Sequence, residues 1–316
     1  MFRKITAELE AWRESPYRKP LILQGARQVG KTYIVLEFAR NHYDNVVSVN
    51  FEREPDARKI FEAGIDPEKL IPRLAQNKKQ SITKGRTLIF LDEIQACPPA
   101  LTSLKYFHES ANDYHVIAAG SLLGVAASHG KYTFPVGKVN TKTLYPMDFE
   151  EFLIAAGEQE LTVKIKECFE NNAAMDSWIH RELLDRYRTY LVVGGMPSCV
   201  ALFHDTHDFI LIREIQSGIL ADYLNDMSKY NTGNEIKKTR LAYSCLSAQL
   251  SKKNTRFQYK LVKKGGRASE FENAIERLVL SGIVSRVYNV DAAKKPLEEY
   301  KNIDSFKIFF SDVGLL

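Results

Sequence analysis

Short apolar runs and amphipathic stretches alternate along the first half of the chain. The apolar runs are five or six residues long and are Pro20–Gln24, Val46–Phe51, Thr87–Leu91, His115–Ala119 and Val139–Leu144. Between them, apolar residues recur at the three- to four-residue spacing of a helix. Short buried strands separated by helices are typical of a parallel sheet that is covered on both faces. The pattern therefore predicts an α/β domain over residues 1–156.

The pattern changes after residue 156. Residues 157–232 carry Glu- and Lys-rich segments with helical spacing, interrupted at Gly194–Pro197, where the glycines and the proline predict a sharp turn. In residues 233–316, two predicted helices precede Lys264, a third spans residues 269–281, and two strands follow at 283–290 and 306–310. Three helices followed by a β-hairpin is the order of a winged-helix domain. The sequence thus predicts an α/β core, a helical segment and a winged helix.

Composition narrows the class of protein. Of the 316 residues, 45% are hydrophobic and 26% are charged, which is ordinary for a soluble globular chain. The net charge of +5 is too small to indicate a nucleic-acid partner by itself. The N-terminus has no apolar secretion segment and no run approaches about 18 apolar residues, so we expect a cytoplasmic protein without a membrane partner. Four widely spaced cysteines predict reduced thiols.

One motif indicates nucleotide binding. Residues Gly25, Ala26, Arg27, Gln28, Val29, Gly30, Lys31 and Thr32 fit the pattern GxxxxGK[ST]. In this phosphate loop the backbone N–H groups surround the β-phosphate, Lys31 contacts the β- and γ-phosphates, and Thr32 ligates Mg²⁺. A fortuitous glycine-rich turn is the alternative, but a predicted strand precedes the motif and a helix follows it. The sequence therefore predicts ATP and Mg²⁺ as ligands.

Two acidic residues, Asp92 and Glu93, directly follow the predicted strand Thr87–Leu91. At the end of a strand near a phosphate loop, Asp92 is expected to hold Mg²⁺, directly or through water. Glu93 is expected to orient and deprotonate the attacking water. Paired carboxylates favour a hydrolase over a small-molecule kinase. A guanine-reading Asn-Lys-x-Asp string is missing from the sequence, which disfavours a GTPase.

Four further residues have two interpretations each. Ser121 follows the fourth strand, where it either senses the γ-phosphate or caps a helix. Gln95 either relays the nucleotide state or is structural. Arg27 and Lys138 either supply a transition-state cation, Lys138 from a neighbouring subunit, or are ordinary solvated side chains.

A basic segment lies in the predicted winged helix. Its cations are Lys252, Lys253, Arg256, Lys260, Lys263, Lys264 and Arg267. On a winged helix, this density would neutralise several DNA phosphates, with Phe257 and Tyr259 either stacking on bases or packing in the core. The alternative is a solvated basic face.

Seven stretches have sequence motifs that are found in one family: Gly25–Thr32, Val49–Glu52, Leu91–Gln95, Ala119–Gly124, Tyr145–Phe152, Gly194–Pro197 and Phe310–Leu316. On these stretches the chain resembles a large prokaryotic family of AAA+-like P-loop ATPases. Its members carry a winged helix after the ATPase core and usually a nuclease-like domain after that. Many relatives have arginine where this chain has Lys138, which weakens a finger role there. Because nothing follows Leu316, the resemblance implies a fragment or a short form that lacks the last domain.

The sequence is compatible with two functions. In the first, ATP hydrolysis drives a nucleic-acid-linked conformational change, and DNA should raise turnover. In the second, slow DNA-independent hydrolysis gates assembly with a protein partner or with further copies of the chain. A passive DNA-binding module with an inactive loop is disfavoured because every expected catalytic residue is present.

Overall fold

A computed structural model describes residues 1–121, 134–229, 233–252 and 255–316. These residues form two compact units, Met1–Tyr145 and Pro146–Leu316. The helix Phe149–Ala155 belongs to the second unit, although the sequence pattern placed it before the boundary at residue 156. The predicted division at residues 156 and 232 stays a prediction.

The first unit is built on a five-stranded sheet. Its strands are β1 Leu21–Gln24, β2 Asn45–Asn50, β3 Thr87–Asp92, β4 His115–Gly120 and β5 Asn140–Thr143. The strand order is β2-β3-β4-β1-β5 and every pairing is parallel. β3 and β4 are buried at all their positions, which explains their nearly uninterrupted apolar sequences. The sheet confirms the predicted α/β P-loop fold.

Helices cover this sheet. They are Ile5–Glu14, Lys31–His42, Pro55–Glu62, Pro67–Lys78 and Pro98–Ser110, with a 3-10 turn at Ile94–Ala96. Three of them begin with proline, whose fixed φ suits the first helical turn. On one face of the sheet, a fully buried cluster that includes Phe51, Phe61, Leu74 and Phe107 fills the space between strands and helices.

The strand register brings the carboxyl ends of the strands together. Gln24 of β1 is level with Gly120 of β4 and with Thr143 of β5. Asn50 of β2 is level with Asp92 of β3. The residues that follow these positions therefore meet at one edge of the sheet, which is where ligands bind in open α/β sheets.

The second unit is mostly helical. Its helices are Phe149–Ala155, Gln159–Glu170, Ser177–Val193, Pro197–Thr206, Phe209–Lys229, Gly233–Ser244, Leu246–Leu250, Tyr259–Val262 and Ala268–Leu280. The strands β6 Val284–Val290 and β7 Lys301–Phe310 then pair antiparallel, and 3-10 turns lie at Leu297–Tyr300 and Val313–Leu315. A capping box between Asp148 and Glu151 starts the first of these helices. The predicted winged helix stays a prediction.

The turn at Gly194 and Gly195 is closely packed against other backbone of the second unit. The carbonyl of Gly195 accepts a hydrogen bond from the N–H of Met147 at 2.7 Å, and its own N–H donates to Asp312 Oδ2 at 2.5 Å. A Cβ on Gly195 would lie 1.9 Å from the Met147 carbonyl oxygen, so only glycine fits. Burial raises the pKa of Asp312 to about 6, although the N–H groups of Gly195, Gly314 and Leu315 favour the carboxylate.

Candidate nucleotide-binding site

The phosphate loop joins β1 to the helix Lys31–His42. Three of its residues have positive φ: Gly25 at 153°, Gln28 at 64° and Gly30 at 93°. A Cβ on Gly25 would lie 2.2 Å from the carbonyl oxygen of Leu144, the residue after β5. The loop is therefore fixed against the segment that follows β5. The N-terminus of the helix comes directly after the loop, as anion binding requires.

Lys31 is held against this loop. Its ammonium donates to the carbonyls of Gly25 at 2.8 Å and Ala26 at 2.7 Å, and the residue is 8% exposed. A buried ammonium between loop carbonyls is positioned to contact phosphate oxygens that enter the loop.

Asp92 lies beside Thr32 although the two are 60 positions apart in sequence. The Thr32 hydroxyl donates to Asp92 Oδ2 at 3.0 Å, and Asn50 Nδ2 donates to the same oxygen at 3.2 Å. The other oxygen, Oδ1, accepts the N–H of Glu93 at 3.0 Å. The two motifs predicted to form one site are thus brought together by β4, which pairs with both β1 and β3, and by the loop after β1.

Glu93 has φ of 50°, a conformation that costs energy in a residue with a side chain and occurs often at active sites. Its Oε2 accepts a hydrogen bond from Gln95 Nε2 at 2.5 Å. Burial raises the pKa of Glu93, and Asp92 and Glu52 add to the rise, while Gln95 and Lys31 oppose it. A partly desolvated carboxylate is a stronger base than one in water, which suits proton transfer from water.

Ser121 follows β4 at the same edge of the sheet. It is 7% exposed, and its hydroxyl has no hydrogen-bond partner among the residues that the structure describes. A buried polar atom without a partner often marks a ligand contact. The helix-cap alternative involves residues 122–133, which lie outside the described part of the chain.

Three features of this region were not predicted from the sequence. Buried Arg3 donates to the carbonyl of Val29 at 3.0 Å and to that of Tyr145 at 2.5 Å. It therefore ties the phosphate loop to the segment that follows β5. Asn50 orients Asp92. Arg27 forms an ion pair with Glu52 at 3.3 Å. A polar residue ending a predicted strand was the available signal for Asn50, whereas nothing in the sequence around Arg3 indicated its burial.

Lys138 lies elsewhere. It precedes β5, whose first residue is level with Leu21 at the start of β1, so it lies at the edge of the sheet opposite the phosphate loop. Its ammonium forms an ion pair with Glu109 at 3.0 Å. Lys138 therefore does not contact the phosphate loop of its own chain.

The basic segment is exposed. Six of its predicted cations, Lys252, Arg256, Lys260, Lys263, Lys264 and Arg267, have exposed side chains, and Lys253 lies outside the described residues. Phe257 packs rather than projects, since its ring stacks on Phe306 with centroids 5.6 Å apart. The hydroxyl of Tyr259 donates to Glu272.

Comparisons with known proteins agree with this geometry. Residues 17–153 match the model of an AAA domain, and residues 184–316 match that of a domain of unknown function, DUF8612. A search of curated protein sequences finds no match.

Among solved structures, the chain is similar to the Walker-type ATPase of Pyrococcus abyssi, with 13% identity, a TM-score of 0.59, and coverage of 99% of this chain and 93% of that one. It is also similar to the ORC2 protein of Aeropyrum pernix, with 12% identity, a TM-score of 0.45, and coverage of 98% and 90%. The first likeness confirms the fold. The match of residues 17–153 to the AAA domain model, together with the phosphate loop and the Asp92–Glu93 pair, makes the protein an ATPase. In the described part of the chain, no helix combines the length and the apolar character that a membrane span needs.

Proposed function

We propose that the protein hydrolyses ATP with Mg²⁺ and couples hydrolysis to a nucleic-acid-linked conformational change. The observation that carries the Mg²⁺ site is the 3.0 Å contact between the Thr32 hydroxyl and Asp92 Oδ2. Hydroxyl and carboxylate oxygens are the ligands that Mg²⁺ takes in proteins, so these two residues fit the ion. When bound, Mg²⁺ neutralises charge on the phosphates.

The remaining chemistry belongs to side chains of the loop and of β3. Lys31 contacts the β- and γ-phosphates, and Ser121 donates to the γ-phosphate or to the water. Glu93 accepts a proton from that water as the oxygen attacks the γ-phosphorus. The bond from phosphorus to the bridging oxygen breaks, leaving ADP and phosphate.

The nucleic-acid link is supported by the second unit. In residues 233–316, helices are followed by the hairpin of β6 and β7, an order typical of a winged-helix domain. The described cations between Lys252 and Arg267 precede its last helix and are exposed. We propose that this region contacts DNA phosphates and that the nucleotide state of the first unit changes its position.

Steady-state ATP hydrolysis tests this function, measured with and without single-stranded and duplex DNA and over a range of Mg²⁺ concentrations. We expect Mg²⁺-dependent turnover that DNA stimulates, and that is lost in Lys31→Ala and in Glu93→Gln. The two variants separate the steps, because Lys31→Ala should lose ATP binding whereas Glu93→Gln should keep it. Turnover that is indifferent to DNA contradicts the nucleic-acid link.

A second function is favoured by exposed apolar side chains. Leu184, Tyr187 and Leu191 are 39%, 43% and 39% exposed and share one face of the helix Ser177–Val193. Exposed apolar faces are common at protein interfaces. The ATPase would then be a nucleotide-gated switch for a protein partner or a further copy of the chain. Slow, DNA-independent hydrolysis together with ATP-dependent assembly in light scattering would favour this function.

A further inference from the structure

Two neighbouring surfaces of the second unit carry opposite charge. One is the basic segment, whose cations lie between Lys252 and Arg267, and the other is the solvent-facing side of the helix Ala268–Leu280, here called the hairpin helix. In helix-turn-helix proteins, the last helix of the motif is the one that enters the major groove. The charges on these two surfaces decide whether this protein can bind in that way.

The hairpin helix exposes an acidic face. Phe271, Ala274, Ile275 and Leu278 are buried, so they turn the opposite side of the helix to solvent. That side carries Glu272 and Glu276, whose side chains are 44% and 52% exposed, together with exposed Ser269 and Asn273. Both carboxylates pair with the single guanidinium of Arg286, at 2.6 Å and 3.7 Å, so the face keeps a net negative charge. Arg277, the cation of this helix, is already paired with Glu235 at 2.7 Å. Phosphates line both sides of a major groove, so carboxylates on the inserted face would be repelled.

The basic segment has the opposite character. Between residues 252 and 267 the sequence holds no Asp or Glu. Lys263 forms an ion pair with Glu270 at 3.5 Å. Within the described residues, Lys260, Lys264 and Arg267 are exposed and take part in no ion pair. Three unpaired cations within eight positions, 260–267, are available to phosphates without breaking an existing contact.

The aromatic rings of the segment are used in the core. Phe257 is 7% exposed and stacks on Phe306, and Tyr259 packs edge-on against Phe257 with centroids 5.2 Å apart. Proteins that bind single strands stack bases on exposed aromatic rings. Neither of these rings is presented in that way, so the segment offers charge without stacking.

We infer that this protein binds the phosphate backbone of duplex DNA through Lys260, Lys264 and Arg267 without reading bases, and that the hairpin helix stays outside the groove. This inference rests on the proposed nucleic-acid link and specifies its surface and its substrate class. Binding should therefore be independent of base sequence, steeply dependent on salt and stronger for duplex than for single strands.

Fluorescence anisotropy of the full chain tests the inference, with two duplexes of unrelated sequence, one single strand, and salt varied from low to physiological. We expect equal affinity for the duplexes. The combined variant Lys260→Ala, Lys264→Ala and Arg267→Ala should bind at least tenfold more weakly. It should also flatten the slope of log affinity against log salt by about 3, since each phosphate contact contributes about 0.9. The matched control, Ser269→Ala with Asn273→Ala on the hairpin helix, should bind like the parent.

Each other outcome has a distinct meaning. A tenfold loss in the control variant, or a preference between the duplexes, would overturn the inference in favour of base readout by the helix. Tighter binding of the single strand, or an unaffected triple variant, would also overturn it while leaving the nucleic-acid link standing. No DNA binding by the parent chain would overturn both. Circular dichroism melting of each variant verifies that lost binding is not lost folding.

Discussion

Two turns of this molecule have the same components, namely glycines packed against backbone and a buried aspartate, and they differ in what surrounds the aspartate. In the first unit, Gly25 lies against Leu144, and Asp92 is 5% exposed. In the second, Gly195 lies against Met147, and Asp312 is 4% exposed. Burial and a close turn are therefore common to both places and cannot by themselves make either of them a reactive site.

The partners of the two carboxylates explain the difference. Asp92 accepts the Glu93 N–H at Oδ1, but its Oδ2 accepts hydrogen bonds from the side chains of Thr32 and Asn50, which can move to make room for a cation. Asp312 is bonded by backbone N–H groups, which are fixed by the turn, and burial raises its pKa to about 6. Mobile side-chain donors near the buried ammonium of Lys31 allow Asp92 to take part in chemistry. Fixed backbone donors around Asp312 instead hold a structural turn in place.

The largest expected effect is in the second turn. Gly195→Ala places a Cβ within 1.9 Å of the Met147 carbonyl oxygen, so the backbone must separate. We expect a loss of about 3 kcal/mol or more in the free energy of unfolding, at the upper end of overpacking effects. Urea unfolding followed by circular dichroism measures this loss. Gly218→Ala is the matched control, because it lies in the helix Phe209–Lys229 with open space around it and should stabilise slightly. Equal urea midpoints for the two variants would show that the turn at Gly195 tolerates a side chain.

The same substitution in the first turn should affect binding more than folding. Gly25→Ala brings a Cβ to 2.2 Å from the Leu144 oxygen, and the loop must shift to relieve the clash. A displacement of about 1 Å in a positioned site costs about 10²-fold, so we expect ATP affinity to fall by about that factor. Titration with a fluorescent ATP analogue measures it. Gly64→Ala, in open space in the same unit, should bind ATP normally. Unchanged affinity in Gly25→Ala would show that the loop does not need this close approach.

The sequence predicted one of these turns far better than the other. The phosphate loop and Asp92 were found because their motifs have known mechanisms, and alternation of apolar runs predicted the sheet that joins them. The partnership of Gly195 with Asp312 was not predicted, because it spans 117 positions and depends on how helices pack. The burial of Arg3 has the same origin, since both its acceptors are backbone carbonyls distant in sequence. Local patterns predict elements, but the partners of single polar residues depend on tertiary packing.

Titration of Asp312 provides a third way to separate the two turns. Its pKa in the folded protein is raised from 3.8 to about 6, so the folded state binds the proton more tightly than the unfolded state. The free energy of unfolding should therefore fall as pH rises from about 4 to about 6, by at most about 3 kcal/mol. Urea unfolding at several pH values measures the slope. Asp312→Asn should remove this contribution, and the exposed Asp205→Asn should retain it. An identical slope in both variants would place the titrating group elsewhere.

The smallest effect is expected from the residue that orients Asp92. Asn50→Ala removes the 3.2 Å hydrogen bond to Asp92 Oδ2, and the carboxylate is then held by Thr32 and the Glu93 N–H alone among its described partners. Loss of such a supporting contact typically lowers metal affinity or activity by about tenfold. We therefore expect a higher Mg²⁺ requirement and lower turnover, with both recovering in part at saturating Mg²⁺.

Asn45→Ala is the matched control for this variant because it lies at the other end of the same strand. Its amide donates to the Ser81 carbonyl and accepts from Thr87, so its loss should cost about 1 kcal/mol of stability. Turnover and Mg²⁺ dependence should be unchanged in Asn45→Ala. If the two variants lost activity equally, the effect of Asn50 would come from strand stability. An effect confined to Asn50→Ala would mean that Asn50, at the carboxyl end of β2, supports Mg²⁺ binding and turnover through its hydrogen bond to Asp92. This is the result expected if side-chain donors position the Asp92 carboxylate.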